Sequence, residues 1–315
     1  MRPMHLALVL FIAVIWGVNF VMVMYVVAEF PPIFANAVRF IMVLAALSLY
    51  LRPKGAHMGR LIGVALVLGV LHFGLMFVAM SLTVDLAPII VTAQTNVPFA
   101  TLLAVLVFGE RIGVWRTLGI ALSFAGVLVI GLDPRGLANL PAVGLILASA
   151  FSYGLAANLM RGLGMVSPLT VQAWVAAMAV VGSLLISLVA ETGQITALGS
   201  AGPWAWGGLV YGAFGAHIIG HVGMTFLFQR YEVTTVSPYM LLMPVFATAA
   251  AVLLADEVLS GREIAGGLMT ISGVGLITLR NRIVHMRRRR RARPGLSPEA
   301  PSSQPRAAGS ASPPP

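Results

Sequence analysis

The 315-residue sequence is 59% hydrophobic and only 10% charged, and its mean hydropathy is +0.94. Soluble domains carry about 25% charged residues, so this composition excludes an ordinary soluble globular protein. The formal net charge is +10, but nine of the 20 basic residues lie at or beyond Arg280. The absence of cysteine excludes disulfides, thiolate metal sites and cysteine nucleophiles.

Ten apolar stretches are each long enough to cross a bilayer as a helix, which takes about 20 residues. The first is predicted to be a membrane span and not a cleaved signal peptide, because it is long, contains Asn19 and lacks a small-x-small cleavage site. The predicted spans cover residues 4–27, 33–51, 61–80, 86–108, 114–131, 141–160, 169–190, 204–228, 234–255 and 263–280.

The distribution of lysine and arginine predicts that both ends of the chain are cytoplasmic. With that orientation the external loops keep only Arg135 and Arg262, Arg39 lies within span two, and the other basic residues fall on the cytoplasmic side. Five spans then belong to each half of the chain. Because five is odd, the second half enters the membrane from the opposite face, and the halves are inverted.

The two halves also resemble each other in sequence. At an offset of 147 residues Phe99-Ala100-Thr101 matches Phe246-Ala247-Thr248, and at an offset of 137 Trp16-Gly17 matches Tyr153-Gly154. We therefore predict an all-α integral membrane protein of ten transmembrane helices, built from two inverted five-helix repeats. The predicted repeats cover residues 4–133 and 139–282, followed by a tail at 283–315. Tandem repeats within a membrane are typical of carriers with a binding site near the midplane.

Prolines lie at matching places in the two halves. Pro98 and Pro244 lie deep in spans four and nine, where each removes a backbone hydrogen bond and favours a kink, so both are hinge candidates. Pro88 and Pro238 are closer to the starts of the same spans and are interpreted as beginning their helices, with a kink as the alternative. Spans five and ten are rich in glycine, which is typical of close helix packing against a neighbour or a second copy.

Several motifs resemble the EamA-type proteins of the drug/metabolite transporter superfamily. Trp16-Gly17-Val18-Asn19-Phe20, Pro31-Pro32 and Arg39-Phe40 resemble the opening of that family. Phe108-Gly109-Glu110-Arg111 and Asp256-Glu257, each followed by spaced glycines, resemble the ends of its two repeats. The resemblance covers residues 4–280 and implies a ten-helix bundle that carries a metabolite or drug through a central cavity by alternating access.

This chain resembles one branch of the family more closely than it resembles the family's general pattern. Arg230-Tyr231-Glu232 before Ser237-Pro238, together with Gln94 and Asn96, resembles the O-acetylserine/cysteine exporters. Val258 departs from this branch, which tends to carry Asp-Glu-Arg where this chain has Asp-Glu-Val. The resemblance implies export of amino acids or their derivatives across a bacterial inner membrane.

Polar side chains are costly in hydrocarbon unless they contact partners or a wet cavity. The amides Asn19, Gln94, Asn96 and Asn158 lie well inside the spans, and an amide suits a zwitterionic or hydroxylated solute. The alternative is that they join helices by hydrogen bonds. Gln94 and Asn96 are spaced i, i+2, so they face one point only if the helix is locally irregular.

Four aromatic residues are also candidates for the cavity wall, namely Trp16, its repeat mate Tyr153, Trp174 and Tyr239. Arg39 stands about six residues into span two, near the outer surface, and three interpretations remain open for it: snorkelling to headgroups, pairing with Glu29 or Asp85, or holding a substrate carboxylate. Glu110 and Glu257 are interpreted as helix-end structure.

Three histidines, His72, His217 and His221, are the strongest chemical signal. Histidine has an unperturbed pKa of about 6.5 and can exchange protons near neutral pH. His217 and His221 are spaced i, i+4 and therefore lie on one face of span eight. They are candidates for coupling transport to protons, or alternatively for hydrogen bonding between helices. A metal site is not predicted, because no further ligand accompanies the pair.

The basic run Arg287–Arg291 directly follows the last span. Such clusters bind anionic lipid at the cytoplasmic surface, so lipid is the predicted partner and nucleic acid is not. The tail beyond it is rich in proline, serine and alanine, and is predicted to be disordered.

We predict a secondary transporter that exports small polar metabolites, with no cofactor and no enzymatic activity. Two alternatives stay open: an efflux carrier of unrelated cargo, and a membrane-embedded transferase that uses the histidines. A hydrolase is disfavoured because no acidic residue, lysine or cysteine lies deep in any span. A channel or sensor is disfavoured because the short loops leave no separate ligand domain.

Overall fold

A computed structural model describes residues 1–53, 55–83, 86–110, 112–131, 140–164, 166–255, 261–262 and 264–276. All regular secondary structure in these ranges is helical, which confirms the predicted fold class. The predicted tail with Arg287–Arg291, and also Asp85 and Glu257, lie outside the described residues. The connection at 132–139 does too, so the exact repeat boundaries stay predictions.

Within the described residues thirteen helices follow one another in chain order. They are α1 Pro3–Glu29, α2 Pro32–Leu47, α3 Met58–Ser81, α4 Leu86–Ala93, α5 Asn96–Phe108, α6 Val114–Gly131, α7 Leu140–Arg161, α8 Pro168–Ala190, α9 Gln194–Ser200, α10 Pro203–Arg230, α11 Val233–Val236, α12 Met243–Ala255 and α13 Ile264–Leu276.

Seven helical segments in the described part of the chain are long and apolar enough to cross a membrane. They are α1, α2 extended to Tyr50, α3, α7, α8, α10 and the stretch Val233–Ala250, which joins α11 to α12. The predicted spans four, five and ten contain the shorter apolar helices Asn96–Val107, Thr117–Val129 and Ile264–Leu276. The protein is therefore a multi-pass membrane protein, and a total of ten crossings requires these shorter helices to cross as well.

Charged side chains mark two opposite ends of the bundle. At the acidic end the Glu191 carboxylate accepts hydrogen bonds from the backbone N–H groups of Ile33 and Phe34, at 2.7 and 2.9 Å. There the N–H of Gly202 also donates to Glu29 at 2.6 Å. These carboxylates stabilise the N-termini of α2 and α10, where the first N–H groups have no partner within their own helix.

At the basic end Arg52 lies in the connection between α2 and α3, Arg60 in the first turn of α3 and Arg230 at the end of α10. The Arg60 guanidinium donates to the carbonyl of Gly162 at 2.9 Å, which ties α3 to the end of α7. Because α1 ends at the acidic end and α7 ends at the basic end, these two repeat-related helices run in opposite directions. The repeats are therefore inverted within the bundle.

Contacts between the two halves occur in matched pairs. Helix α1 packs against α12 and α10, while its repeat mate α7 packs against α5 and α3. The α2 helix packs against its own mate α8. Each of these contacts of a helix in one half is thus matched by the contact of its repeat mate in the other half. An approximate twofold axis that relates the two halves produces this pattern.

Two glycines allow the matched crossings. A Cβ atom at Gly17 on α1 would lie 2.8 Å from the backbone nitrogen of Ala247 on α12. A Cβ atom at Gly154 on α7 would lie 2.9 Å from the backbone nitrogen of Ala100 on α5. Only glycine lets these backbones approach so closely, and the two crossings join the motifs that the repeat comparison aligned.

The glycine-rich helices α6 and α13 pack on each other within one chain. Ser123 Oγ donates to the carbonyl of Thr270 at 3.0 Å, and Thr270 Oγ1 donates to the carbonyl of Ser123 at 3.3 Å. A Cβ atom at Gly126 would lie 2.5 Å from the carbonyl oxygen of Gly266. The predicted packing face therefore has its partner in the other half of the same molecule.

The helices of spans three and eight both contain a π-helical segment, Leu66–His72 in α3 and Tyr211–His221 in α10. Each segment ends at a histidine. A π segment widens the turn and occurs frequently at functional sites. Its presence at related places in both halves indicates a shared structural feature of the two repeats.

Spans four and nine are interrupted on the N-terminal side of their prolines. The α4 and α5 helices are separated at Gln94–Thr95, and a 3₁₀ segment from Ser237 to Leu242 separates α11 from α12. Proline cannot donate to the carbonyl four residues earlier. The residue before each proline donates instead, Val97 to Gln94 at 3.0 Å and Met243 to Met240, which tightens the turn.

Candidate functional site: a cavity between the two repeats

A cavity of about 70 Å³ lies between the two halves. One water needs about 10–15 Å³ on this measure, so the cavity has room for several waters or a small polar group. Helices from both repeats form its wall: α1, α2, α3, α4, α5, α7, α10 and α12. The interrupted span four contributes residues on both sides of its break, Ala93 and Asn96.

The floor of the cavity is an aromatic and imidazole cluster. Trp16 lies edge-on to its repeat mate Tyr153 with ring centroids 5.9 Å apart, and Trp16 lies 4.5 Å from the His221 ring. Phe73 is 5.0 Å from His221. Trp16 Nε1 donates to the carbonyl of Ala216 at 2.9 Å, which fixes the indole against the π segment of α10.

His72 lines the cavity from α3 and is fixed by α7. Its Nδ1 lies 3.0 Å from the carbonyl oxygen of Ser149, and Ser149 Oγ donates to the main-chain carbonyl of His72 at 2.9 Å. A hydrogen on Nδ1 donates to the carbonyl oxygen of Ser149, which leaves Nε2 as the acceptor of a neutral ring. The ring is also 5.1 Å from Tyr153.

His217 lies behind the wall and does not line the cavity. It is 0% exposed, and neither ring nitrogen has a hydrogen-bond partner in the described part of the chain. It packs on Phe40 at 4.7 Å and on His221 at 5.1 Å. The i, i+4 pair therefore shares a face, as predicted, but only His221 contacts the cavity.

Arg39 lines the cavity from α2 and is 1% exposed. Its guanidinium lies within the bundle and does not reach the surface, and Glu29 is bonded to Gly202 instead. Nη2 donates to Asn36 Oδ1 at 2.9 Å, and Asn36 in turn donates to Ser183 Oγ on α8 at 2.9 Å.

The predicted amides divide into two groups. Asn19 and Asn96 line the cavity. Asn158 does not, because its Nδ2 donates to the carbonyls of Ala100 at 3.0 Å and Gly154 at 2.9 Å, at the crossing of α5 and α7.

Three further candidates lie away from the cavity. Trp174 on α8 donates from its indole nitrogen to the carbonyl of Arg52 at 3.2 Å and is not part of the cavity wall. Gln94 is 0% exposed and lies at the helix break, where neither amide atom has a partner among the described residues. Tyr239 is buried in the core on the 3₁₀ segment of span nine. Sequence position alone therefore did not separate residues of the cavity wall from residues of the neighbouring core.

Some contributors were missed from the sequence. Asn36 supports Arg39 from three positions earlier, a spacing that places both on one helix face. The apolar wall residues carry no signal that distinguishes them from other core side chains; they include Phe20, Phe73, Met76, Met80 and Met243.

The cavity lies toward the acidic end, and the basic end is closed by polar contacts. Val23 and Met80 line it near the acidic ends of α1 and α3. At the basic end the buried Glu110 forms an ion pair with Arg161, and Thr234 Oγ1 donates to the same carboxylate at 2.6 Å. Glu110 thus joins the ends of α5 and α7 to the start of α11, in agreement with its interpretation as helix-end structure.

Comparison with known proteins places this geometry in context. The model of the "EamA-like transporter family" matches residues 4–132 and 140–279. A "Probable amino-acid metabolite efflux pump" of Escherichia coli K12 is 30% identical over 278 residues, covering 85% of this chain and 92% of that protein. The protein of the same name from Salmonella typhimurium LT2 is 31% identical over 279 residues, with the same coverage.

A solved crystal structure shares the fold. It superposes with a TM-score of 0.70 at 19% sequence identity, covering 88% of this chain and 97% of that one. Similarity at this level of identity concerns the fold alone.

Proposed function

This chain belongs to the EamA-like transporter family, and we propose that it exports small amino-acid metabolites by alternating access through the central cavity. The cavity between inverted repeats is the observation that carries the proposal. Its wall combines Arg39, His72, His221 and two amides with a mostly apolar lining, which is the usual composition of a small-molecule site.

The closed basic end supports the alternating part of the mechanism. A carrier opens its site to one side at a time, and here the contacts of Glu110, Arg161 and Thr234 close one end while the cavity lies toward the other. The helix breaks before Pro98 and Pro244 lie beside the cavity and the contacts that close the basic end. We therefore propose that the helices bend at these two breaks when the carrier changes the side to which its cavity opens.

The relatives' names support amino-acid metabolites as the cargo class. Within that class we propose L-cysteine and O-acetyl-L-serine first, because Arg230-Tyr231-Glu232 and Ser237-Pro238 resemble the exporters of these compounds. The test is uptake of labelled compound by proteoliposomes that contain the purified protein. Saturable uptake that is accelerated by unlabelled compound on the opposite side supports a carrier.

The opposite results would remove the proposal. Flux that rises linearly with concentration and shows no acceleration by compound on the opposite side indicates a channel. Chemical conversion of the labelled compound without net movement indicates an enzyme. Saturable export of only unrelated drugs would retain the carrier and exclude the amino-acid cargo.

We propose that a proton gradient across the membrane drives the export. The described spans contain no carboxylate at the cavity, and His72 and His221 are the titratable imidazoles of its wall. Protonation of a histidine during the return step and its neutrality with substrate bound would exchange protons for substrate.

Both ends of the chain are proposed to lie in the cytoplasm of a bacterial cell, with the acidic end outside and Arg287–Arg291 on anionic lipid. The absence of cysteine allows a direct test with single cysteines and an impermeant maleimide on intact cells. We expect Asn139→Cys to be labelled and Gly55→Cys to be protected until the cells are opened. The reverse pattern would contradict the orientation.

A further inference from the structure

Arg39 is placed where a membrane protein does not ordinarily keep a cation. It lies seven residues beyond the start of α2, about 10 Å along the helix axis. A lysine or arginine in a span usually extends its side chain to the headgroups, but Arg39 points into the bundle and lines the cavity. A cation in this position needs a negatively charged partner to be stable.

The surroundings hold the guanidinium without neutralising it. The rings of Phe40, Phe73 and Phe77 lie 4.7, 4.4 and 4.8 Å from its central carbon. Cation–π contacts of this kind orient the group, and the hydrogen bond to Asn36 fixes one terminal nitrogen. None of these contacts carries a negative charge.

No carboxylate from the described residues pairs with Arg39. Glu29, Glu110 and Glu191 are bonded at the ends of the bundle, and the described wall of the cavity contains no acidic side chain. Arg39 Nε is buried without a hydrogen-bond partner among these residues. A buried, unpaired cation is strongly unfavourable, so an anion entering the cavity gains a preorganised partner.

A second orphaned atom lies close to this cation. Asn19 Oδ1 is buried and has no partner in the described part of the chain. A Cβ atom at Gly212 would lie 3.0 Å from Arg39 Cδ and 3.6 Å from Asn19 Oδ1, so the two side chains converge on one glycine of α10. The site thus pairs a cationic donor with an amide acceptor.

Resting on the proposed function, we propose that Arg39 binds the α-carboxylate of the exported molecule while Asn19 Oδ1 accepts a hydrogen bond from its ammonium group. The planar guanidinium fork matches a carboxylate with two parallel hydrogen bonds. The cargo is therefore a free α-amino acid or a side-chain derivative of one. Esters, amides and decarboxylated amines are excluded.

The test uses proteoliposomes of the full chain and L-[³⁵S]cysteine as the probe. The competitors are L-cysteine methyl ester and cysteamine, which keep the amine and thiol but lack the free carboxylate. We expect both to compete at least about 30-fold more weakly than unlabelled L-cysteine, the loss expected when one partner of a buried charge pair is removed. Equal competition by the ester overturns the proposal.

Variants separate binding from a structural role. Arg39→Gln and Arg39→Met should lower kcat/KM for L-cysteine at least about 30-fold, while Arg39→Lys should recover part of it. The matched control is Arg52→Gln, because Arg52 is an exposed arginine that donates to the carbonyl of Leu49 at 3.2 Å and lies outside the cavity wall. We expect this control to transport at the wild-type rate.

The melting temperature separates a binding role from a structural one. Replacing an arginine that stabilises the fold would lower it. Arg39→Met removes an unpaired buried cation, so its melting temperature should equal or exceed that of the wild type. L-cysteine should raise the melting temperature of the wild type and leave that of Arg39→Met unchanged. Wild-type kinetics in Arg39→Met, or a lowered melting temperature with normal cysteine transport in Arg39→Gln, overturns the proposal.

Failure of the proposed function gives a different pattern. If the wild type transports none of L-cysteine, O-acetyl-L-serine and the standard amino acids, the proposal of amino-acid export is wrong, and so is the proposal of a carboxylate site. If the wild type transports one of them and Arg39→Gln does so equally well, export stands and only the carboxylate site is lost. If Arg39→Met does not fold, competition by the ester on the wild type decides alone.

Discussion

The two repeats differ far more in their chemistry than in their framework. The framework is matched: Gly17 and Gly154 make equivalent helix crossings, and both broken spans are interrupted before a proline. The polar side chains are not matched, because Arg39 has Ala176 as its repeat mate and Asn19 has Ala156. Symmetric backbones thus build the bundle, and single-copy side chains such as Arg39 and Asn19 supply polar groups of the cavity wall.

The reason for this division is physical. Close helix approach depends on backbone shape, which two inverted copies share automatically. A small substrate is not symmetric about the same axis, so each of its groups needs a binding partner from only one repeat. A second arginine opposite Arg39 would place two unpaired cations in one cavity, at a large cost in desolvation and repulsion.

The largest expected effect comes from filling the crossings. Gly17→Val and Gly154→Val each place a side chain on a backbone nitrogen 2.8 or 2.9 Å away. Overpacking costs about 1–3 kcal/mol and more against rigid backbone, so we expect melting temperatures lowered by about 6 °C or more in both. Thermal unfolding in detergent measures the effect.

The control for these variants lies on the same helix as Gly154. A Cβ atom at Gly144 meets nothing within 4 Å, so Gly144→Val should change the melting temperature little. If one crossing tolerates valine and the other does not, the frameworks of the two repeats are not equivalent.

An intermediate effect distinguishes the two buried asparagines. Asn158→Leu loses its hydrogen bonds to Ala100 and Gly154, which should cost about 1–3 kcal/mol of stability and leave transport per folded molecule unchanged. Asn19→Leu removes an acceptor that faces the cavity and should lower transport about tenfold at an unchanged melting temperature.

Both variants are measured by flux in proteoliposomes and by thermal unfolding. A stable, inactive Asn158→Leu would reverse the assignment of framework and site. So would an unstable Asn19→Leu with normal flux.

The smallest effect concerns proton coupling, and it compares a histidine of the cavity wall with one behind it. His221→Gln keeps a hydrogen-bonding side chain but does not titrate between pH 5 and 8. We expect it to exchange substrate normally at equal pH and to lose the severalfold acceleration by a pH gradient. The titratable and charged side chains near His221 in the described part of the chain are His217, His72, Arg39 and Tyr153, all of which the variant leaves in place.

His217→Gln is the control, because His217 does not line the cavity. It should keep the response to the gradient. If His72→Gln and His221→Gln both keep that response, coupling through a wall histidine is wrong.

The helical membrane fold, the repeats and their inversion were predictable from the sequence. Apolar length determines where a helix spans, and the placement of basic residues determines its direction. The prolines also marked the broken spans, because proline removes a defined hydrogen bond whatever packs around it. These features depend on local chemistry, which each segment carries by itself.

Only the tertiary structure decided which polar residues share the cavity. Arg39, placed near the outer surface by counting along its span, points inward beneath three rings, while Gln94, two positions before the wall residue Asn96, is buried away from it. Helix rotation and the local break at Gln94–Thr95 set these directions, and both depend on neighbours distant in the chain. The residue type alone indicates how unfavourable the burial of a polar side chain is. The packing of the helices determines which group the side chain contacts.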